Sequence, residues 1–530
     1  MKRRYLRIFN TFFILSFILF QSGCLPSKVI RSLSKPSQVG TSNLSKDAIK
    51  VHMKDGGLFV LSSYIVISSN DSIIGNGEYY NSNRNKANPP KQIDTKTLNG
   101  QSSFKISFSD IALFETNKIT GLSGKLIGMG LVGVTSAITS TYCLINPKAC
   151  FGSCPTFYAW NGEKMQLMAE GFSSSILKAY EKSDIDMLYW SKINGKDFQL
   201  KLTNEALETH VIRYADLLVF PKRTQERVFA TEEGQFYKTD KILSPNICKG
   251  PEGDCRDLVL KMDAKERFSV SDEKNLAAKE FIELEFNTAS KSQLGLIIGC
   301  RQTLLTTYLF YQSLANLGNS AGYFASRIES GDQSLKRKVD RIWNILGGIE
   351  VYVQGKNRNW IKAGEIEEMG PIASDVHLLK LPVQESEITK IRLKMTKGLW
   401  RIDYVGLTEM KEQVHPIQIN PTVVISNDSI DSKALTQLCD SDNPLITLPG
   451  DSYTLHYTLP STNDDYEIFL KTKGYYLEWM REEWIAEQNL KNAGLMFVMP
   501  KLYLKLVADK FKVVEPTMEE KFWRSRYVKN

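Results

Sequence analysis

Ile349-Glu-Val-Tyr-Val353, Trp360-Ile-Lys-Ala-Gly-Glu365, Val376-His-Leu-Leu-Lys-Leu381, Ile391-Arg-Leu-Lys-Met395 and Trp400-Arg-Ile-Asp-Tyr-Val405 are five β-type runs within sixty residues. Short runs rich in Val, Ile and aromatic residues read as strands, because branched and flat side chains pack well on a pleated surface. Five in a row, closed by the tryptophan-led run, predict a jelly-roll sandwich over 347–470. The same reading spreads in both directions from this stretch.

Upstream, Thr303 to Leu346 is helical in pattern, with Leu304, Leu305, Tyr308, Leu309 and Gln312 on one face. Residues 298–346 are therefore expected as a helical segment. Before it, 147–297 reads as a β-sandwich. Phe157-Tyr-Ala-Trp-Asn-Gly-Glu-Lys-Met-Gln-Leu is a hairpin about Asn161-Gly162, since Asn-Gly adopts the positive φ values a two-residue turn requires. Residues 48–121 hold about five short strands with Asp55-Gly56 as a further hairpin signal, and predict a small SH3-like barrel. Downstream, a helical C-terminal tail is expected over 471–530. The fold class is multidomain and mainly β, a small barrel plus sandwich or jelly-roll modules, with helical segments, α+β overall. A length of 530 residues agrees with several domains.

The N-terminus sets the address. Lys2, Arg3, Arg4 and Arg7 precede the apolar run Phe12-Phe-Ile-Leu-Ser-Phe-Ile-Leu-Phe20, and Gln21-Ser-Gly-Cys24 follows. Charged start, short apolar middle and small residues make a secretory signal. A cysteine after Ser-Gly converts 1–23 into a lipoprotein signal peptide and Cys24 into the lipidation site, although Gln21 stands where leucine is usual. The apolar stretch is short of the ~20 residues a spanning helix needs. Residues 24–47, rich in Ser, Lys and Pro, are expected as a flexible tether. Leu25 after the cysteine favours the outer membrane over the inner.

The formal charge is +8. Half of it leaves with the four basic residues of the signal, and no dense Lys/Arg block remains, which argues against nucleic acid. A second apolar run, Leu126 to Ile145, is uncharged and rich in Gly, Ser and Thr. It is read as a buried or surface-docked helix (122–146) rather than a span, because a span would return the rest of the chain to the cytoplasm. Gly128-Met-Gly-Leu-Val-Gly133 within it spells a dinucleotide fingerprint but lacks a surrounding βαβ unit. No cofactor is expected.

Eight cysteines are present. Cys248 and Cys255 flank a turn-rich loop that a disulfide would close, and Cys150 with Cys154, or one of these with Cys143, is a second possible pairing. No metal is expected, because Cys143, Cys150 and Cys154 have no nearby histidine and the five histidines lack ligand spacing.

Gly318-Asn-Ser-Ala-Gly322 spells a nucleophile elbow, with Ser320 as nucleophile and Asp403 with His415 or His456 as followers. The elbow needs a strand before it, and the preceding residues read as helix, so a helix-to-helix connection competes. Ser175-Ile-Leu-Lys178 matches S-x-x-K without its partner motif. Glu205 and Glu208 beside His210 offer a carboxylate pair of the kind glycoside cleavage uses, against the reading that both acids face water. Trp479, Arg481 and Trp484 suit a membrane or partner contact, against core packing at helical spacing.

Cys150-Phe-Gly-Ser-Cys-Pro-Thr-Phe-Tyr158, Leu202-Thr-Asn-Glu-Ala-Leu-Glu-Thr-His210 and Gly474-Tyr-Tyr-Leu-Glu-Trp479 resemble a family of secreted or lipid-anchored bacterial lipoproteins with no assigned activity. The resemblance implies the lipoprotein address and transfers no catalytic residue. The expectation is a lipid-anchored envelope protein, a non-enzymatic binding or scaffold module for a protein or glycan ligand. Its alternatives are a secreted serine hydrolase using Ser320 and a carbohydrate-binding lipoprotein with Trp360 on its binding face.

Overall fold

The computed structural model describes residues 28–34, 36, 49–67, 71–80, 86–98, 101–120 and 154–524, apart from 194, 289–292, 368–369, 384–386, 462–464 and 481. The signal peptide, Cys24, the apolar run 126–145, Cys143, Cys150 and the glycines of 128–133 lie outside the described residues. The chain divides into two compact units, Met1–Ile138 and Thr139–Asn530. The protein is mainly β, with several sheets and few helices.

The first unit is a seven-stranded antiparallel sheet in the order Lys28–Ser34, Ile111–Thr120, Ile49–Met53, Leu58–Ile67, Ser72–Tyr80, Gln101–Ser107, Asp94–Leu98. Alternation places Val51, Phe59, Leu61, Ile73, Phe104, Ile106 and Phe114 in one core. Phe59 meets Tyr79 and Phe104 at ring distances of 4.7 and 5.0 Å. The Asp55-Gly56 hairpin forms, with Gly56 at φ +83° and the Gly57 N–H donating to Asp55 Oδ1 at 2.9 Å. Lys28–Ser34, inside the expected tether, is instead an edge strand paired with Ile111–Thr120. Among the described residues no pairing joins the two edges, Lys28–Ser34 and Asp94–Leu98, into a closed barrel.

Among the described residues the second unit carries four sheets. One has Lys182–Met187, Asp465–Glu478, Glu208–Lys222 and Ile417–Ile419 side by side, with Leu445–Thr447 also on Glu208–Lys222. Another contains Ser452–Thr458, Asp197–Thr203, Thr156–Trp160 and Met165–Glu170. Phe157, Phe172, Leu200, Leu202, Leu217, Leu455 and Leu470 fill a shared core. The third and fourth sheets centre on Leu294–Gln302 and on Ile388–Thr396. Their side chains share a core with helices Leu305–Leu317, Gln333–Leu346 and Ala508–Arg524, through Ile298, Leu305, Val351, Leu393, Trp400 and Phe511.

Several expected boundaries are crossed. Glu208–Lys222 pairs with Asp465–Glu478 from Glu208↔Glu478 to Lys222↔Asp465, with one bulge between Ile212 and Tyr214. Leu294–Gln302 lies between Asp375–Lys380 and Trp400–Glu409, and Lys279–Asn287 pairs with Ile388–Thr396. The sandwich expected over 147–297 and the jelly roll expected over 347–470 are therefore interleaved. Period-2 patterning reports that a strand has a buried face and is silent on which strand will lie beside it. The helical tail expected from 471 begins as strand, since Tyr475 to Glu478 complete Asp465–Glu478, and helix starts at Glu482–Ala486.

Candidate functional site

Asp184 and Asp186 are two residues apart on the strand Lys182–Met187, so their side chains leave the same face of the sheet. Glu170 ends the strand Met165–Glu170, the return arm of the Asn161-Gly162 hairpin. That hairpin forms, with a connection of residues 161–164 rather than a two-residue turn: Gly162 holds φ +103°, and Asn161 Oδ1 accepts the N–H groups of Glu163 and Lys164 at 2.8 and 2.9 Å. Asp375 and His377 come from Asp375–Lys380 in a different sheet. These five side chains, with Lys182 and the turn residues Glu232 and Glu233, line a cavity of about 410 Å³.

The cluster is built rather than accidental. Asp375 Oδ1 accepts the Met187 N–H at 2.9 Å and the Val376 N–H at 2.8 Å, which ties two sheets together. Its Oδ2 lies 3.0 Å from His377 Nε2, and His377 Nδ1 lies 3.5 Å from Glu232 Oε1. Glu170 Oε2 accepts the Ile372 N–H at 2.8 Å. The loop closes over that carboxyl so tightly that a Cβ at residue 370 would stand 2.0 Å from Glu170 Oε2, which is why Gly370 carries no side chain. Asp186 is only 7% exposed, and among the described residues its Oδ2 is buried without a hydrogen-bond partner.

Electrostatics follow from crowding. Burial pushes Glu170 up to about 7 against the backbone N–H groups that favour its charge. Burial, reinforced by the Asp375 charge, lifts Asp184 to about 6. Asp186 is pushed well above the carboxylate range by burial and then by Asp184, Asp375 and Glu170. Burial alone would lower His377, but Asp375 and then Glu232 outweigh it and hold the imidazole up at about 9. Buried like charges cannot all ionise together, so protons stay on the site. Burial and crowding thus disfavour the charged forms of Asp184, Asp186 and Glu170, while the neighbouring carboxylates favour the charged form of His377. Such groups donate hydrogen bonds or protons and accept cations.

A second cavity of about 260 Å³ shares Glu170, Ser173, Ser174 and Lys182 with the first and adds Cys154, Glu208, Tyr311 and Tyr476. Glu208 and His210 are buried there, 3.2 Å apart. The expectation that Glu208 faces water is corrected, because residue 208 opens a strand whose first residues, 208 to 212, are buried on both faces. Glu205 accepts from Tyr158 Oη at 2.5 Å. Burial, then Glu170 and Glu208, push the Cys154 thiol up, so it is no thiolate nucleophile.

The other sequence candidates are scattered. Gly318–Ser320 is a single turn between helices Leu305–Leu317 and Ala321–Glu329, and Ser320 Oγ accepts from Gln488 Nε2 at 3.2 Å. A serine between two helices lacks the strand that forces an elbow, and the hydrolase reading of Ser320 is withdrawn. Asp403 accepts the N–H groups of Asp263 and Ala264 at 3.3 and 3.0 Å, His456 Nδ1 pairs with Asp197 at 3.2 Å, and His415 is exposed beyond Gln413–Val414. Ser175 Oγ donates to the Tyr180 carbonyl. Trp479 Nε1 donates to Thr209 Oγ1 at 2.9 Å, and Trp484 stacks on Tyr311 at 5.0 Å, so both pack inside. Cys248 and Cys255 are free thiols with sulfurs 3.1 Å apart. Among the described residues no group of three or more His, Cys, Asp and Glu is arranged to hold a metal ion. The one sequence sign of the acid cluster is Lys182-Ser-Asp-Ile-Asp-Met187, where Asp184 and Asp186 alternate with Ile185 and Met187.

No family model and no curated protein matches the chain. Solved structures with some similarity include a β-porphyranase of glycoside hydrolase family 86 from Bacteroides plebeius, at 6% identity over 48% of this chain and 39% of that one, TM-score 0.14. A family 31 α-xylosidase from Xanthomonas citri has 6% identity over 84% and 36%, TM-score 0.14. The secreted serine protease VesC from Vibrio cholerae has 6% identity over 73% and 99%, TM-score 0.14. The chain spans little more than a third of the length of these two glycoside hydrolases. Scores this low leave the functional reading to the geometry of the site.

Proposed function

We propose that this is a lipid-anchored cell-envelope protein, tethered through Cys24 to the outer membrane, whose second unit binds a small cationic, hydroxyl-rich ligand without turning it over. The carrying observation is Asp186 Oδ2, a buried polar atom without a partner among the described residues, in the wall of the 410 Å³ cavity. A buried polar group left unsatisfied costs stability, so it marks a place where a ligand supplies the missing bond. The lining sets the chemistry. Glu170, Asp184, Asp186, Glu232, Glu233, Glu367 and Asp375 face only Lys182 and His377 as basic groups, and that excess attracts an amine. Asp186 and Glu170, biased by burial toward their protonated forms, donate to hydroxyl or carbonyl oxygens. An amino sugar has both features.

Titration calorimetry with glucosamine oligomers tests the cleft. Binding that disappears in Asp186→Leu and Glu170→Leu, while N-acetylated oligomers bind less well, supports the reading; equal binding by the variants overturns it. The anchor is tested separately, by incorporation of labelled palmitate into the wild type and its loss in Cys24→Ala.

A second reading has its own observation. The Arg392 guanidinium lies 4.1 Å from the Trp360 ring and 5.4 Å from the Phe281 ring on one outer sheet face, an aromatic and cationic platform suited to stacking a glycan. Loss of glycan-array signal in Trp360→Ala with the cleft intact would favour it.

A further inference from the structure

The helices Leu490–Val498, Pro500–Leu506 and Ala508–Arg524 bury one apolar face, through Met496, Phe497, Tyr503, Leu504, Val507 and Phe511. Their exposed side carries large apolar side chains as well. Val498, Met499, Leu502, Leu506 and Val513 are 56, 53, 40, 58 and 69% exposed. Leu502 and Leu506 are four apart on Pro500–Leu506, so their side chains lie on one side of that helix, and Val498 and Met499 stand at its junction with the preceding helix. A helix surface that is apolar on both sides needs a second apolar neighbour. Isolated exposed leucines are ordinary; five large apolar side chains on consecutive helices are not.

The charges beside the patch select the neighbour. Lys491, Lys501, Lys505 and Lys510 are exposed around it, against Asp509 alone among exposed acids from 490 to 513. Lysine stems lie along apolar surface while their ammonium groups reach outward to phosphate. Apolar side chains edged by lysines match the boundary between acyl chains and anionic headgroups. Among the described residues no helix is long and apolar enough to cross a membrane, so the contact lies along the surface. The opposite face is held firmly: Glu519 bonds Arg301 at 2.5 Å and Glu515 bonds the Ser271 N–H at 2.6 Å. The patch is presented by a fixed scaffold.

We propose that the face formed by Val498, Met499, Leu502, Leu506 and Val513 docks on an anionic lipid bilayer. This contact is independent of the lipid at Cys24 and of the ligand in the acidic cleft. The test uses the full mature chain with Cys24→Ser, which has no acyl anchor, in co-sedimentation with vesicles of phosphatidylcholine alone or with one third phosphatidylglycerol. Pelleting with the anionic vesicles, reduced about tenfold in Leu502→Glu/Leu506→Glu and suppressed by salt or by Lys501→Glu/Lys505→Glu, is expected. These side chains are exposed, so unchanged thermal unfolding is the control for folding. Failure to pellet, or equal pelleting of wild type and both variants, overturns the proposal. So does a dimer in solution that Leu502→Glu dissociates, which would assign the face to a second copy.

Discussion

Both units bury a histidine beside a carboxylate, and they treat the charge differently. In the first unit Glu115 meets two bases: Lys50 Nζ at 3.1 Å and His52 Nε2 at 3.1 Å. In the second, Glu170, Asp184, Asp186 and Asp375 share His377 and Lys182. Burying charge is costly unless it is matched, so a balanced cluster is a device for stability and an unbalanced one is kept for another reason. Proteins tolerate such imbalance mostly where something binds or reacts. The contrast is what singles out the cleft.

The comparison is broken most severely by attacking a balanced site. Arg267 is fully buried, with Nη1 on Glu280 Oε1 at 2.7 Å and Nε on Glu252 Oε1 at 2.7 Å. Arg267→Met strands Glu280 in the interior and should cost about 3–5 kcal/mol in urea unfolding of the second unit. A loss below ~1 kcal/mol would show that balance is not what stabilises there.

The unbalanced site should respond with the opposite sign. Glu170 has its folded value raised to about 7, from an ordinary 4.5. A raised carboxyl contributes stability below its unfolded value and loses it as pH rises through the folded value. Wild type should therefore weaken between pH 4.5 and 7. Glu170→Gln removes that loss, so its advantage over wild type should grow with pH to about 3 kcal/mol at most. Parallel pH profiles for the two proteins would contradict a protonated cleft. His377 runs in the same direction at higher pH: a base raised from 6.5 to about 9 stabilises below 6.5 and loses that contribution as pH climbs to 9. His377→Gln should be weaker than wild type at pH 6 and approach it above pH 9, read by thermal unfolding.

A smaller effect is expected at Glu115. Glu115→Gln keeps the shape and removes the anion, and should cost the first unit about 2 kcal/mol, because Lys50 retains some access to water. The smallest belongs to the exposed pair Lys86–Glu78, where Lys86→Ala should change stability by less than ~0.5 kcal/mol.

Local structure was legible in the sequence wherever a single residue pair decides it. Asp55-Gly56 and Asn161-Gly162 sit at hairpins as read, and the alternating run from Ile349 is a strand with Ile349, Val351 and Val353 buried. Partnership was not legible. Glu208–Lys222 finds its neighbour in Asp465–Glu478, and nothing in either pattern names the other. The acid cluster was missed for the same reason. Glu170, Asp186 and His377 belong to three strands, and only tertiary pairing brings them to one cavity. Ser320 erred the other way: a short motif matched, but its glycines serve a helix break, with Gly318 at φ +49°.

The long ladder between Glu208–Lys222 and Asp465–Glu478 bears on how the molecule comes into being. One half of its central seam is synthesised long after the other. A nascent polypeptide that has emerged as far as residue 460 still lacks that seam, and its apolar edge stays open. Distant closures of this kind are slow and leave sticky surface waiting. The second unit must therefore acquire its shape after residue 478 has emerged, and a truncation anywhere before residue 465 should yield an aggregate rather than a smaller working domain.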